Sequence, residues 1–256
     1  MKIRILGAHN IESSKTSFAS FLIDGVLAVD ASALTSNLSF TEQQKLKAVL
    51  LTHQHFDHIK DIPSLGMNFL LLEKAIEIYA TKTVYEAITA YLLNDALYPD
   101  LTKMPPENPP LHFNIVESGK AVSIAGYSVL PVRVNHSAPS VGYQVTSADG
   151  KKVFITSDTG PGLEACWQQI SPNLLFIEAT VPNKDEQFAL QAGHLTPKLL
   201  LKELESFRKI KGHLPQVVLV HLNPLIEKSI RAEIHEVEKA LNIKIRFSYE
   251  GMRLNI

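Results

Sequence analysis

Residues 52–58 read Thr-His-Gln-His-Phe-Asp-His and follow directly on the apolar run Ala48-Val49-Leu50-Leu51. A buried strand there would deliver His53, His55, Asp57 and His58 into a tight loop at its end. Imidazole suits Zn and other first-row transition metals, and a carboxylate adds a harder oxygen ligand. Side chains alternate along an extended segment, so His53 and His55 point the same way. Asp57 and His58 fall after a turn and can face a second position. The spacing therefore suits two neighbouring metal ions better than one. A solvated turn is the plain alternative, but four potential ligands so close together, anchored to an apolar strand, argue for a metal site.

His-x-His-x-Asp-His after a hydrophobic strand resembles the signature of the metallo-β-lactamase fold, and the resemblance runs along nearly the whole chain. It implies an α/β architecture, a four-layer αββα sandwich formed by residues 1–256 as one domain, with a one- or two-metal site at one rim of the sheets. Later ligands in such proteins each stand at a strand end. Here His136 follows Tyr127–Val134, Asp158 follows Val153–Thr156, and His221 follows Val217–Val220. By resemblance, His53, His55 and His136 hold a first metal, Asp57, His58 and His221 a second, and Asp158 bridges them. The implied cofactors are two divalent ions, Zn with Mn or Fe as alternatives, activating a hydroxide between them.

Within the superfamily two branches are similar to this chain. Glu178-Ala179-Thr180 and Gly193-His194-Leu195-Thr196 resemble segments of transfer-RNA 3′-processing endonucleases, although Ile177 stands where those have a histidine. His194-Leu195-Thr196-Pro197, with Val218-Leu219-Val220-His221 and Pro224 beyond it, resembles class II cyclic-nucleotide phosphodiesterases. That family usually has Leu where this chain has Phe56, and Gly where it has Asp61. The resemblance implies a phosphodiesterase acting on 3′,5′-cyclic nucleotides. Maturation of tRNA 3′ ends and hydrolysis of non-phosphate esters or thioesters are the alternatives. Asp57 belongs to the reacting centre in this reading, His194 is the proton donor to the leaving group, and Glu178 orients His194.

Other polar residues admit two readings each. Asp61 is either a carboxylate partner to a ligand imidazole or an exposed helix-start residue. His9, Ser14 and Lys15 either touch substrate or belong to an ordinary hydrophilic loop. His112, His213 and His235 lack ligand-like surroundings. Cys166, the single cysteine, sits beside Trp167 as a core residue and excludes an intrachain disulfide.

Composition narrows the partners. With 45% hydrophobic and 20% charged residues the chain is globular in type. A formal net charge of −1 and a pI near 6.8 disfavour a nucleic-acid enzyme, which usually carries a basic excess. A small-molecule phosphodiester is the expected substrate, with nucleic acid second and a homodimer possible. The start of the sequence lacks signal-peptide character and no run of 18 apolar residues occurs, so the expected location is cytoplasmic, without membrane contact.

The elements that must position these residues are legible in outline. Strands are predicted over Lys2–Leu6, Ser17–Ile23 and Val26–Val29, with Asp24-Gly25 as a hairpin turn. A helix over Glu42–Leu46 capped by Ser39 or Thr41, then helices over Ile62–Lys74 and Lys82–Ala96, flank a strand over Ile76–Ala80. Prolines 99, 105, 106, 109 and 110 exclude regular structure over 98–110; that segment is read as a flap, a dimer contact or a plain surface excursion. Strands follow over Phe113–Val116, Ala121–Ile124, Tyr127–Val134, Val141–Thr146, Lys152–Ile155, Leu174–Ile177 and Gln216–Val220. Thr196-Pro197 starts a helix that ends near Gly212, Glu227–Leu241 forms another, and Ile243–Phe247 a last strand.

Overall fold

Two seven-stranded sheets face each other in the computed structural model, which describes residues 1–256. The first contains β1 (Lys2–Gly7), β2 (Ser20–Ile23), β3 (Leu27–Val29), β4 (Ala48–Leu50), β5 (Ile76–Ala80) and β6 (Leu111–Ile115) in chain order. The second contains β7 (Val122–Ile124), β8 (Tyr127–Val134), β9 (Ser140–Thr146), β10 (Lys152–Ile155), β11 (Leu174–Glu178), β12 (Gln216–Val220) and β13 (Ile245–Phe247). The chain then returns as β14 (Arg253–Asn255) to the free edge of β1. Helices α1 (Leu34–Asn37), α2 (Phe40–Gln43), α3 (Phe56–Ile59), α4 (Ile62–Leu71) and α5 (Lys82–Tyr91) interrupt the first sheet. Helices α6 (Glu164–Gln169), α7 (Glu186–Ala192), α8 (Pro197–Lys211) and α9 (Glu227–Leu241) interrupt the second.

Strand alternation builds three apolar layers from this order. Ile5, Phe21, Val29 and Leu50 meet Tyr143, Ile155, Phe176 and Val218 between the sheets. Their neighbours Leu22, Ala28 and Val49 turn outward onto Leu65 and Phe69 of α4 and Val84 and Ile88 of α5. On the opposite side Phe154, Leu175 and Val217 meet Trp167 of α6, Leu204 and Phe207 of α8, and Ile234 of α9. The three layers are of nearly equal size, 25, 23 and 22 buried residues, so the molecule is the αββα sandwich rather than a single sheet with a helical cap. Cys166 lies in the outer layer of the second sheet, where burial and the nearby Glu203 push its thiol pKa up.

Several element ends differ from expectation for local reasons. The helix before β4 starts at Phe40, because Ser39 accepts from the Glu42 amide while Glu42 accepts from the Ser39 amide, and it ends at Gln43. Helix α5 stops at Tyr91 rather than Ala96: Asn94 Oδ1 accepts from the amides of Ala96 and Leu97, and Asp95 is left-handed at φ 63°. Strand β6 begins at Leu111, two residues early. Other predictions hold closely. Asp24 and Gly25 both have positive φ, 48° and 76°, as a tight hairpin turn requires. Thr196 caps α8 through the Leu199 amide, with Pro197 at its first position and left-handed Gly212 beyond its end.

The proline-rich segment is not a flap over the histidine loop. Strands β4, β5 and β6 run parallel, with Ile76 opposite Leu111 at their starts and Leu50 opposite Tyr79 near their ends. Residues 98–110 enter β6 at its start, at the rim opposite the end of β4, and buried Asp100 and Leu101 pin them there. No helix is long and apolar enough to cross a membrane.

Candidate metal centre

One rim collects the carboxyl ends of six strands. β3 and β4 are parallel in the first sheet. In the second, β10, β11 and β12 are parallel, and β8 runs with them because β9 is antiparallel to both β8 and β10. The residues just past these ends are Asp30, Thr52–His58, His136, Asp158, Thr180 and His221. The backbone amide of Val141 donates to the Thr52 carbonyl at 3.1 Å, joining the two sheets at this rim.

The seven residues expected to bind metal come together as two groups sharing Asp158. His53, His55, His136 and Asp158 form one; Asp57, His58, Asp158 and His221 form the other, with the donor atoms of each group within 4.8 Å of one another. In the first, His136 Nε2 lies 3.1 Å from His55 Nδ1, and both His53 Nε2 and His136 Nε2 lie 3.9 Å from Asp158 Oδ2. In the second, Asp57 Oδ2 is 3.5 Å from both His58 Nε2 and His221 Nε2, while Asp158 reaches the same two nitrogens at 3.4 Å.

These donor sets fit divalent cations on physical grounds. His53 Nε2, His58 Nε2 and Asp158 Oδ1 are buried with no hydrogen-bond partner. Buried polar atoms are nearly always satisfied, so three orphans spread over the two groups around Asp158 fit positions for cations. The far nitrogens of four imidazoles are meanwhile tied down. His53 Nδ1 meets Thr52 Oγ1 at 3.1 Å, His58 Nδ1 donates to Asp30 Oδ2 at 2.8 Å, His136 Nδ1 donates to the Gly193 carbonyl at 2.8 Å, and His221 Nδ1 meets Thr180 Oγ1 at 3.0 Å. Such partners fix ring orientation and leave the other nitrogen free to bind metal.

Charge agrees with this geometry. Burial and the neighbouring His58 hold the His53 pKa well below normal, keeping it a neutral ligand. Burial opposes ionisation of Asp158, but His221 and His58 outweigh it and hold the carboxyl well below the usual range. His58 is pushed up despite burial by the charges of Asp158 and Asp30. An anionic pocket that draws a proton onto a buried imidazole also draws a metal ion, which replaces that proton.

His194 and Glu178 adjoin the second group. Glu178 is fully buried, and its Oε1 accepts from His194 Nδ1 at 2.8 Å and from the Thr159 amide at 2.8 Å. The His194 ring stacks on His221 with centroids 5.4 Å apart. Burial works against charge on His194, but Glu178 outweighs it and raises the pKa to about 9. Gly193 lets this turn approach: it is left-handed, at φ 74°, and a Cβ there would lie 2.5 Å from the Ser137 amide nitrogen.

Some polar residues behave otherwise than expected. Asp61 is neither a partner to a ligand imidazole nor exposed; it is buried, accepts from the Thr35 amide at 2.9 Å and faces Lys60 at 3.4 Å. The carboxylate that holds a ligand ring is Asp30, which also accepts from the amide and hydroxyl of Thr52 at 2.9 Å. Sequence reading missed it, because only the pairing of β3 beside β4 brings this residue, just past the end of β3, to the histidine loop. His9 is buried with Nδ1 2.6 Å from Glu250 Oε1, while Ser14 and Lys15 are exposed.

Comparison with known proteins settles the family. The family described as Beta-lactamase superfamily domain matches residues 20–222. The chain belongs to this family. Among solved structures it is similar to unliganded yeast PDE1 (TM-score 0.86, 17% identity, covering 100% of this chain and 99% of that one). It is also similar to the metallo-beta-lactamase fold protein YhfI of Bacillus subtilis (0.77, 19%, 99% and 98%) and to the short form of human tRNase Z (0.70, 19%, 100% and 99%). At these identities the likeness shows the metallo-β-lactamase fold. A curated octanoyltransferase of Porphyromonas gingivalis is 26% identical over 216 residues, 83% of this chain and 38% of that protein. The chain thus spans under two fifths of that relative's length.

Proposed function

We propose that this superfamily member is a metal-dependent hydrolase, a phosphodiesterase acting on 3′,5′-cyclic nucleotides. The observation that carries the reading is the pair of donor groups sharing Asp158, with three buried donor atoms left unpaired. His53, His55 and His136 would hold one divalent ion, Asp57, His58 and His221 a second, with Asp158 between them. The donor chemistry suits Zn, and also Mn or Fe. When bound, two such ions polarise a phosphodiester and activate water near neutral pH.

The chain's own residues do the rest. Asp57 is the most exposed of the second group, at 28% of its side chain, so it borders the space where substrate and water arrive. His194, braced through Nδ1 by Glu178, gives a proton to the departing sugar oxygen. Asp158 stays anionic and keeps the two ligand groups at a fixed separation. A diester anion needs charge neutralisation more than covalent chemistry, which this centre supplies. The near-zero net charge supports a small substrate over a nucleic acid.

The test is release of nucleoside monophosphate from cyclic AMP and cyclic GMP by protein reconstituted with Zn or Mn. Turnover lost in Asp57→Ala, with folding unchanged by circular dichroism, supports the reading. No turnover of either nucleotide by protein carrying two metals per chain rejects it, and precursor tRNA with a 3′ trailer and thioesters become the next substrates to try.

A further inference from the structure

Glu178 closes β11, and the hydroxyl of Thr180, two residues on, turns back to it. β11 runs parallel to β12 with Glu178 opposite Val220, so His221 stands beside this pair just past the end of β12. Glu178, His194 and His221 bring donor atoms within 4.8 Å of one another, which is the spacing of a third metal group. The hydrogen bonds argue against that role. Glu178 Oε1 accepts from the Thr159 amide and from His194 Nδ1, both at 2.8 Å. Its Oε2 accepts from the Leu195 amide at 3.2 Å and from the Thr180 hydroxyl at 2.5 Å. Four donors fill the lone pairs of a carboxylate, and none remains for a cation.

Thr180 Oγ1 has three polar neighbours and one proton. Glu178 Oε2 lies at 2.5 Å, His221 Nδ1 at 3.0 Å and the His221 carbonyl oxygen at 3.1 Å. A carboxylate is the strongest acceptor of the three and also the closest, so the hydroxyl proton goes to Glu178. Oγ1 then offers the imidazole only lone pairs, and His221 Nδ1 must donate to it. The ring proton is thereby held on Nδ1. The nitrogen presented to an ion is Nε2, which lies 3.4 Å from Asp158 and 3.5 Å from Asp57.

The first sheet repeats the arrangement. Thr52 Oγ1 lies 2.9 Å from Asp30 Oδ1 and 3.1 Å from His53 Nδ1, with Ser157 Oγ also near it at 2.8 Å. Asp30 holds His58 directly and reaches His53 through Thr52, as Glu178 holds His194 directly and reaches His221 through Thr180. We propose that Thr180 is a positioning residue whose hydroxyl connects Glu178 to His221, so that one buried carboxylate sets both His194 and a candidate metal ligand. The inference rests on the metal-binding part of the proposed function and not on the choice of substrate.

The experiment measures Zn affinity by competition with a chromogenic chelator. Thr180→Val replaces the hydroxyl by a methyl group and should weaken one of the two ions about 10–100-fold, leaving the other unchanged. Thr180→Ser keeps the hydroxyl and should restore the parent affinity, which a purely packing role for the threonine would not do. Glu178→Gln should weaken the same ion. The double variant should bind that ion no more weakly than the weaker single variant, because the two groups act in series. Thr180→Ala, which removes the hydroxyl without adding a methyl, gives the same readout should the valine variant not fold. Parent-like affinity for both ions without the hydroxyl overturns the inference, as does a serine variant as weak as the valine one. Losses that multiply in the double variant also overturn it. Binding of no metal by the parent protein overturns the inference together with the metal reading beneath it, whereas failure to turn over cyclic nucleotides bears on the substrate reading alone.

Discussion

Asp30 Oδ2 accepts the Nδ1 proton of His58 at 2.8 Å, and both side chains are almost wholly buried. The bond fixes which nitrogen of His58 faces Asp158 and Asp57. Asp30 itself is left-handed, at φ 60°, a conformation Asn tolerates at least as well as Asp. Asp30→Asn should therefore keep the backbone but weaken the grip on the His58 ring. Loss of such a partner costs about 10–100-fold in metal affinity. Competition with a chromogenic chelator would show one weakened site and one unchanged; two unchanged sites would mean that Asp30 is a folding residue only.

Asp158 and Asp57 should differ in kind. Asp158 belongs to both donor groups and Asp57 to one. Asp57→Ala should retain about one ion per chain, bound by His53, His55, His136 and Asp158. Asp158→Ala removes the carboxylate that offsets five surrounding imidazoles and should leave no tightly bound metal. Elemental analysis after gel filtration counts the ions directly, and equal stoichiometry in the two variants would contradict a shared ligand.

These relationships explain what the sequence could and could not disclose. Four of the candidate ligands lie within one heptapeptide, and each of the others follows an apolar strand, so the candidate donor set that the structure gathers is legible as a pattern. Asp30 has no such spacing; its role arises only because β3 lies parallel to β4 with Val29 opposite Leu50. Helix α7 was silent for another reason: only Ala189 in it is buried, so it carries no apolar stripe. Strand β14 has one buried residue, Leu254, and its place is set by pairing with β1, from the far end of the chain.

Gly193 gives a sharper structural test. It closes α7 at φ 74° and accepts the Nδ1 proton of His136, at a spot where a Cβ would meet the Ser137 backbone at 2.5 Å. Gly193→Ala therefore combines an unfavourable backbone conformation with a clash that backbone must relieve. A cost of about 1–3 kcal/mol is expected from the strain alone. Denaturant unfolding of the metal-free protein should record that loss, and metal titration should show weakening confined to the site that His136 shares. Gly212, also left-handed but with open space around it, is the control: Gly212→Ala should lower stability without altering metal binding.

Acid stability should depend on a carboxylate away from the metals. Burial raises the Glu250 pKa, but the hydrogen bonds from His9 and from the Ser17 amide, at 2.6 and 3.0 Å, more than offset it, leaving the carboxyl below its ordinary value of 4.5. A carboxyl whose pKa is lower in the folded state than in the unfolded one binds fewer protons when folded. Its contribution is then complete above the ordinary value and is lost as pH falls below 4.5 through the depressed one. Glu250→Gln should thus be less stable than the parent at pH 7, and the gap should narrow on acidification across that window. Urea midpoints of the two metal-free proteins between pH 7 and pH 3 would show the convergence, whereas parallel curves would mean that the Glu250 charge contributes nothing to the fold.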